Sequence, residues 1–356
     1  VERALTQEGG TWASEQLVLC RDEETGLRAV IAIDDTTLGP GLGGVRNRAY
    51  ADDAEAIFEC RRLAAAMTLK NAVAELPFGG AKAVILDDGP VPDREALMRR
   101  FGQFVARTAG AYLPGVDMGT TVGDLAVVRS AGVEVSCADE DPSPWTALGV
   151  AASIVAAVEQ LDGREGIEGA TVLVQGAGHV GGALARDLAG RGARLLVADV
   201  DAGRAEALAS AVDGAVVAAK EALTTPCDVL APCAVARVVS ERTVDRLACR
   251  VVAGAANDTL ATRADAERLA ARGIAYIPDF VANAGGVVQI HALRSGHDEA
   301  RLRADVLEIG ERVRELLADA TAEGETALTV AERRAARILR DARARRRAEA
   351  AAGALA

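Results

Sequence analysis

Lysine is almost missing from this chain: of its 40 basic residues only three, Lys70, Lys82 and Lys220, are lysines. Histidine is equally scarce, with three residues, and the six cysteines (Cys20, Cys60, Cys137, Cys227, Cys233, Cys249) form no C-x-x-C pair. That pattern suggests neither a zinc site nor a disulfide framework, so no metal is expected and the cysteines read as buried free thiols. No run approaches the roughly 18 consecutive apolar residues of a membrane span. The acidic, polar start VERALTQEGG resembles no signal peptide, and the expectation is a soluble, cytoplasmic protein. Positive charge is in deficit as well. A net charge of −12 repels polyanions and argues against nucleic acid or an anionic membrane as partner. The arginine-rich stretch 331–347 reads as a solvated helix.

Against that background the few lysines carry information. Arginine keeps its proton near neutrality and lysine can release one, so a lysine in an arginine-using chain marks a place where a proton must move or a compact charge is needed. Lys70 and Lys82 stand twelve residues apart in one glycine-rich segment.

With 356 residues and 50% hydrophobic content, the chain is too long for one compact domain and suits two domains with a cleft between them. EQLVLCRDEETGLRAVIAI (15–33) reads as two antiparallel strands around a polar turn at 22–26. Helical spacing covers 53–69 and 93–108, with a glycine turn and a short strand, PFGGAKAVILDD, between them. Beyond Pro142 a long apolar helix, SPWTALGVAASIVAAVEQL, precedes the strand ATVLVQ, a helix from about Gly181 and the strand ARLLVADVD, a β-α-β unit. The short runs GAVVA, DVLAPCA, RVVAGAAN and GIAYIPD then alternate with helical stretches, as a parallel doubly wound sheet requires. The expected fold is α/β: an N-terminal α/β substrate domain over 1–140, a Rossmann-type dinucleotide domain over 141–325, and a helical segment, 326–356, packing back on the first.

Gly176, Gly178 and Gly181 match G-x-G-x-x-G, a weak signal alone and a specific one between a strand and a helix. Glycines let backbone approach a pyrophosphate, and the helix N-terminus offers free N–H groups. His179 and Val180 join the cofactor set as the variable residues of this fingerprint, His179 as a loop filler rather than a catalyst. Asp199 ends the next strand, placed to accept hydrogen bonds from ribose hydroxyls. Its charge repels a 2′-phosphate and favours NAD over NADP, while Arg204 nearby points the other way.

The segments LGPGLGGVRNRAY, MTLKNAVAELPFGGAKAVI, GVDMGTTVGDL, DPSPWTALGV, APCA, GAAND and PDFVANAGGVVQI, in this order, resemble the leucine, phenylalanine and valine dehydrogenases, relatives of glutamate dehydrogenase. The resemblance runs from about residue 15 to 331. It implies reversible, NAD-dependent oxidative deamination of an apolar, branched-chain or aromatic, L-amino acid by a homo-oligomer. The residues suit that chemistry unaided. An α-amino acid needs a cation for its carboxylate, a base for the water that attacks the iminium, and a carboxylate to manage protons on nitrogen. Two ammonium groups in a partly dry cleft would repel, lowering the proton affinity of one of them.

By resemblance Lys70 binds the substrate carboxylate, Lys82 is the catalytic base and Asp117 the proton shuttle. Gly43 and Gly44 admit the substrate main chain, Leu42, Met67, Gly115, Val287 and Ile290 line the side-chain pocket, and Asn257 sits beside substrate and nicotinamide. Thr146 and Ala255 complete the cofactor contacts. The apolar pocket holds no cation for an acidic side chain, which disfavours glutamate. Leu69, Ala81 and Asp258 depart mildly from the family pattern. VVQIHALR departs more, with His291 and Arg294 where relatives continue Ala-Asp-Glu, so a larger or unusual amino acid is the alternative substrate. A non-catalytic NAD-binding regulatory protein is the alternative of a different class.

Overall fold

The structure, a computed structural model, describes residues 14–87, 89, 91–136, 141–163, 165–234 and 236–353. The segment VERALTQEGG, Cys137 and the expected boundary at Glu140 lie outside them. The chain divides into two compact units, one comprising residues up to Asp141 together with those from Ala335 onward, the other Pro142–Arg334.

The first unit is built on one five-stranded sheet. Its elements are β1 (Gln16–Asp22), β2 (Leu27–Asp35), β3 (Gly41–Arg48), α1 (Asp53–Val73), β4 (Gly79–Leu86), α2 (Arg94–Ala106), β5 (Tyr112–Val116) and α3 (Val122–Ser130). The order is β1-β2-β4-β3-β5, with β1, β2 and β4 antiparallel in turn and β3 parallel to β4 and β5. The hairpin turn is set by Asp22, whose carboxylate accepts from the Thr25 N–H (3.0 Å) and hydroxyl (2.8 Å). Alternation along β2 sends Ala29, Ile31 and Ile33 to a core with Phe101 and Met98 of α2, and Val30 and Ala32 to a second core with Ile57, Cys60 and Ala64 of α1. The sheet is therefore covered on both faces, and β2 and β4 are buried along most of their length. Asp52 caps α1 by accepting from the Glu55 N–H, and Lys70 lies in its last turn, where the helix dipole favours a cation.

The second unit holds α4 (Ser143–Asp162), β6 (Thr171–Gln175), α5 (His179–Gly190), β7 (Arg194–Ala198), α6 (Ala202–Ala211), β8 (Ala215–Val216), β9 (Val229–Pro232), β10 (Val251–Val252), α7 (Ala264–Ala271), β11 (Ala275–Tyr276), α8 (Asp279–Ala282), α9 (Gly285–Arg294) and α10 (Glu299–Glu323). Its six strands are all parallel, ordered β11-β10-β9-β6-β7-β8. Renumbered from β6, this is the doubly wound order 3-2-1-4-5-6, whose direction reverses between β6 and β9. Two details differ from the sequence expectation. Helix α5 starts at His179 rather than Gly181, and the chain passes from β8 to β9 and from β9 to β10 through single 3-10 turns, 219–221 and 244–246, instead of helices. Helix α4 is long and apolar enough to cross a membrane, but 67% of its most apolar window is buried inside the protein, as for a core helix.

The last helix, α11 (Ala327–Gly353), is more than solvated: Val330, Ala331, Ala335 and Ala342 are buried on one face. Arg334 pairs with Asp319 (2.6 Å), and Arg343 bonds Asp35 and the Thr37 hydroxyl. Of the described cysteines all are free; Cys20 and Cys60 are buried, while Cys227, Cys233 and Cys249 are only half-buried, short of the expected full burial.

Candidate active site

In the first unit the candidate residues gather at three neighbouring strands. Lys82 lies mid-β4, Asp117 directly after β5, and β3 runs between them with Gly44 and Arg46 on one face. The Lys82 ammonium meets the Asp117 carboxylate at 2.5 Å, their side chains only 8% and 20% exposed. What Lys82 faces is thus a carboxylate. Gly44 makes the approach possible: a Cβ there would sit 2.7 Å from the Asp117 Cβ and 3.3 Å from Lys82 Nζ. Arg46 Nε donates to the same Asp117 oxygen at 3.0 Å. Burial pushes the Asp117 carboxyl up, but Lys82 and Arg46, helped by the Met118 N–H, hold it well below the usual carboxylate range. The Asp117 N–H donates to the Thr120 hydroxyl (3.0 Å), which donates to the Val45 carbonyl (2.8 Å), so the carboxylate's backbone is tied to β3.

Other candidates in this unit have mixed settings. Lys70 and Met67 are half-buried, near the end of α1. That end is pinned to β4 by Asn71, whose amide donates to the Gly79 carbonyl at 2.6 Å, and by Thr68, whose hydroxyl stands where a Cβ on Gly80 would fall. Gly43 has a structural demand of its own: a Cβ would lie 1.7 Å from the Ala81 carbonyl oxygen. Leu42 is 1% exposed, and Gly115 is buried with the Ser136 hydroxyl over it. Lys220 is exposed in the second unit and takes no part.

In the second unit the glycine loop follows β6 at the reversal of strand order. Gly176 has φ +113°, a conformation that side chains resist, and a Cβ on Gly181 would fall 1.9 Å from the Gly176 carbonyl oxygen. Gly178 is the N-cap of α5 and supplies no side-chain cap, leaving the first-turn N–H groups of that helix to an incoming anion. A cavity of about 500 Å³ opens here, lined by Ala177, Gly178, His179, Gly182, Arg186 and Arg204 among others. Val180, half-buried in the first turn of α5, does not line it. Asp199 accepts from the backbone N–H groups of Ala177 (2.7 Å) and Asp201 (2.8 Å). Burial raises its carboxyl, but these N–H groups and Arg204 bring it below the ordinary value. Asp199 therefore fixes the loop, with oxygen lone pairs left for a ribose hydroxyl. These features fit a dinucleotide.

Near the ends of β9 and β10, Asn257 is exposed and its side-chain oxygen accepts from the Asn283 amide at 2.9 Å; Asn283 also donates to the Ala255 carbonyl at 3.1 Å. Gly285 and Gly286 at the start of α9 leave room for the Trp145 carbonyl and the Thr146 hydroxyl of α4, and Thr146 donates to the Pro142 carbonyl at 3.1 Å. Val287 is buried on α9 and Ile290 half-buried. His291, also on α9, lies edge to face with His297, which contacts Asp305 at 2.9 Å. Sequence reading missed Arg46, Glu59 and Asn283. A charge two residues beyond Gly44 on a strand, and an amide just before a paired glycine, were the available signals.

Comparison with known proteins agrees in both halves. Residues 14–131 match the model described as Glu/Leu/Phe/Val dehydrogenase, dimerisation domain, and residues 197–346 that of Glutamate/Leucine/Phenylalanine/Valine dehydrogenase. The chain is 37% identical to leucine dehydrogenase of Thermoactinomyces intermedius over 90% of its own length and 89% of the relative's. It is 39% identical to valine dehydrogenase of Streptomyces albus over 93% and 94%. L-tryptophan dehydrogenase from Nostoc punctiforme superposes with a TM-score of 0.81 at 33% identity, covering 93% of this chain and 97% of that one. With Lys82 meeting Asp117 at the first sheet, a G-x-G-x-x-G loop on the second and matched relatives along nearly its full length, the chain belongs to the Glu/Leu/Phe/Val dehydrogenase family of amino acid dehydrogenases.

Proposed function

We propose that the protein catalyses the reversible oxidative deamination of an apolar L-amino acid, branched-chain or aromatic, to its 2-oxo acid and ammonia, with NAD. The observation that carries this reading is the buried contact of Lys82 with Asp117 beside Gly44. Bound NAD supplies the hydride acceptor; Gly176, Gly178, Gly181, His179, Asp199, Thr146, Ala255 and Asn257 are the residues to hold it. Lys70 binds the substrate carboxylate. Once Cα is oxidised to the iminium carbon, Lys82 as a free amine takes a proton from water while the water oxygen bonds to that carbon. The resulting carbinolamine needs one proton on nitrogen before its C–N bond breaks. Asp117, a carboxylate at rest, takes that proton across the 2.5 Å contact from the Lys82 ammonium just formed and passes it to nitrogen; as the C–N bond breaks, Lys82 removes the hydroxyl proton to leave the carbonyl. Asn283, only 5% exposed and with its side-chain oxygen unpartnered, adds an acceptor in the second unit for a substrate or nicotinamide N–H.

The apolar settings of Leu42, Met67, Gly115, Val287 and Ile290 support an apolar substrate side chain, and a dimerisation-domain match supports a homo-oligomer. The small Gly115 and the altered segment at His291 favour, as second reading, a larger aromatic or non-protein amino acid. The test is NADH formation by purified protein on a panel of L-amino acids, with NADP in place of NAD and Lys82→Ala as controls. Turnover of leucine, valine, phenylalanine or tryptophan that the variant lacks supports the reading. Binding of NAD with turnover of no panel member in either direction defeats it.

A further inference from the structure

The Lys82–Asp117 pair does not stand alone. Arg46, on the strand between them, spreads its guanidinium over two carboxylates: Nε to Asp117 at 3.0 Å and Nη1 to Glu59 of α1 at 2.8 Å. Glu59 also accepts from the Tyr50 hydroxyl (3.2 Å) and pairs with Arg48 (3.2 Å), which stacks on the Tyr50 ring. Side-chain exposure is 11% for Arg46 and 13% for Glu59. Four charges of alternating sign, Lys82, Asp117, Arg46 and Glu59, thus run in a nearly dry row. Such a row is a poor device for stability, because desolvating each ion costs about what pairing returns. Its geometry is better suited to fixing one oxygen. Gly44 and Arg46 share a face of β3; the first leaves the floor open where Lys82 and Asp117 meet, and the second closes its far side.

Building on the proposed roles of Lys82 and Asp117, we propose that Arg46 is a positioning residue for the deamination. Backed by Glu59, it locks the Asp117 carboxylate toward Lys82 and sets how readily the pair passes a proton. A planar, always charged fork can hold two carboxylates at once, which a lysine ammonium on a flexible stem cannot do with equal aim. The other titratable groups around the pair are poorly placed to substitute. Tyr112 on β5 donates its hydroxyl to the Gly43 carbonyl at 3.0 Å, and burial keeps it protonated. Cys60 on α1 bonds the Lys82 carbonyl rather than its ammonium, and burial pushes its thiol up to about 12. That leaves Lys82 and Arg46 as the cations on Asp117, and Glu59 as the anion that draws Arg46 partly away from it.

Arg46 and the Glu59 behind it therefore predict opposite effects. In Arg46→Met the carboxylate loses a cation and an aim; kcat/KM for the best panel substrate should fall about 100-fold. Its acid limb should move to higher pH by about one unit. Because the two groups titrate together, that limb belongs to the pair. In Glu59→Gln the charge of Arg46 falls undivided on Asp117, and the limb should move to lower pH. Added guanidinium ion should restore part of the Arg46→Met activity, and Arg46→Lys should retain more of it than Arg46→Met, with KM for NAD unchanged throughout. A uniform loss at every pH that tracks a lower melting temperature, with no guanidinium rescue, makes Arg46 merely structural and overturns the proposal. So does movement of both limbs in the same direction. Should Arg46→Met not fold, the direction of the Glu59→Gln limb decides alone. Lys82→Ala and Asp117→Asn, run in parallel, separate the failures: if both keep full activity, the reading of the site falls, whereas loss in both with an inert Arg46 defeats only this inference.

Discussion

The two units build their parts of the site from opposite materials. The first uses charged side chains on or directly after adjacent strands, Lys82, Asp117 and Arg46, backed by Glu59 of α1, each paired with the next against a covered sheet. The second uses bare backbone: three glycines, an uncapped helix terminus, and a carboxylate, Asp199, that is spent on holding the loop. The contrast follows from what each must hold. A proton in transit needs groups whose charge can change and whose positions are stiff, which strands provide. A pyrophosphate has fixed charge and needs many N–H groups at close range, which no side chain may obstruct.

If that division is right, the largest effects separate cleanly by kinetic constant. Lys82→Ala should lower kcat about 1000-fold while leaving KM for NAD within a factor of two to three, because the base is gone and the glycine loop is untouched. Gly181→Ala should do the reverse. Its methyl would lie 1.9 Å from the Gly176 carbonyl oxygen, so the turn must open, costing about 1–3 kcal/mol and raising KM for NAD about 5- to 100-fold. Steady-state kinetics with thermal melting reads both. A Gly181→Ala enzyme whose KM for NAD is unchanged would mean that the loop tolerates side-chain bulk and that backbone closeness is not what binds the dinucleotide.

The glycine loop was legible because its signal is local: Gly176, Gly178 and Gly181 are spaced by the turn itself, and the strand before and helix after them appear in the hydrophobic pattern. The parallel doubly wound sheet followed from the same alternation, except where crossovers shrink to 3-10 turns with too few residues to show a period. Lys82 and Asp117 stood out through the rarity of lysine and the flanking motifs. Arg46 and Glu59 did not, since among 37 arginines (40 basic residues less three lysines) one more carries no signal. Their role depends on a contact across 13 residues of sequence that only the folded sheet brings about. The tail misled for a related reason. A run of arginines looks solvated until Arg343 is seen to reach Asp35, 308 residues away in sequence.

Asp199 tests the second side of the comparison at smaller amplitude. With its carboxylate on the N–H groups of Ala177 and Asp201, Asp199→Ala should loosen the loop and raise KM for NAD about tenfold, a loss of roughly 1.4 kcal/mol. If repulsion of a 2′-phosphate also matters, the same variant should improve NADP relative to NAD, with Arg204 at the cavity wall as the available cation. A fall in both cofactors by one common factor would leave Asp199 with a purely structural part.

The smallest effect is expected at Asp34, the least well compensated acid near the first site. Its carboxylate accepts from the Thr68 hydroxyl at 2.6 Å, two residues before Lys70. Burial raises its titration above the usual carboxylate value, the Thr68 bond works against this, and Asp35 and Glu15 add repulsion. The sign follows from linkage. With the folded value above the unfolded one, the folded state binds the extra proton, so stability is highest below the unfolded carboxyl value, near 4, and declines as pH rises through the folded value. At neutral pH the penalty is fully present. Asp34→Asn keeps an acceptor for Thr68 while removing the charge, and should raise the melting temperature slightly at pH 7, by about 1–2 °C, with the gain vanishing near pH 4. Activity should stay within a factor of about two, since Lys70 keeps its place in α1. A gain that persists undiminished in acid would show that charge is not what strains this position. A loss at neutral pH would show that the Asp34 anion is needed to seat the helix end carrying Lys70, and would extend the paired-charge design of the first unit to its substrate cation.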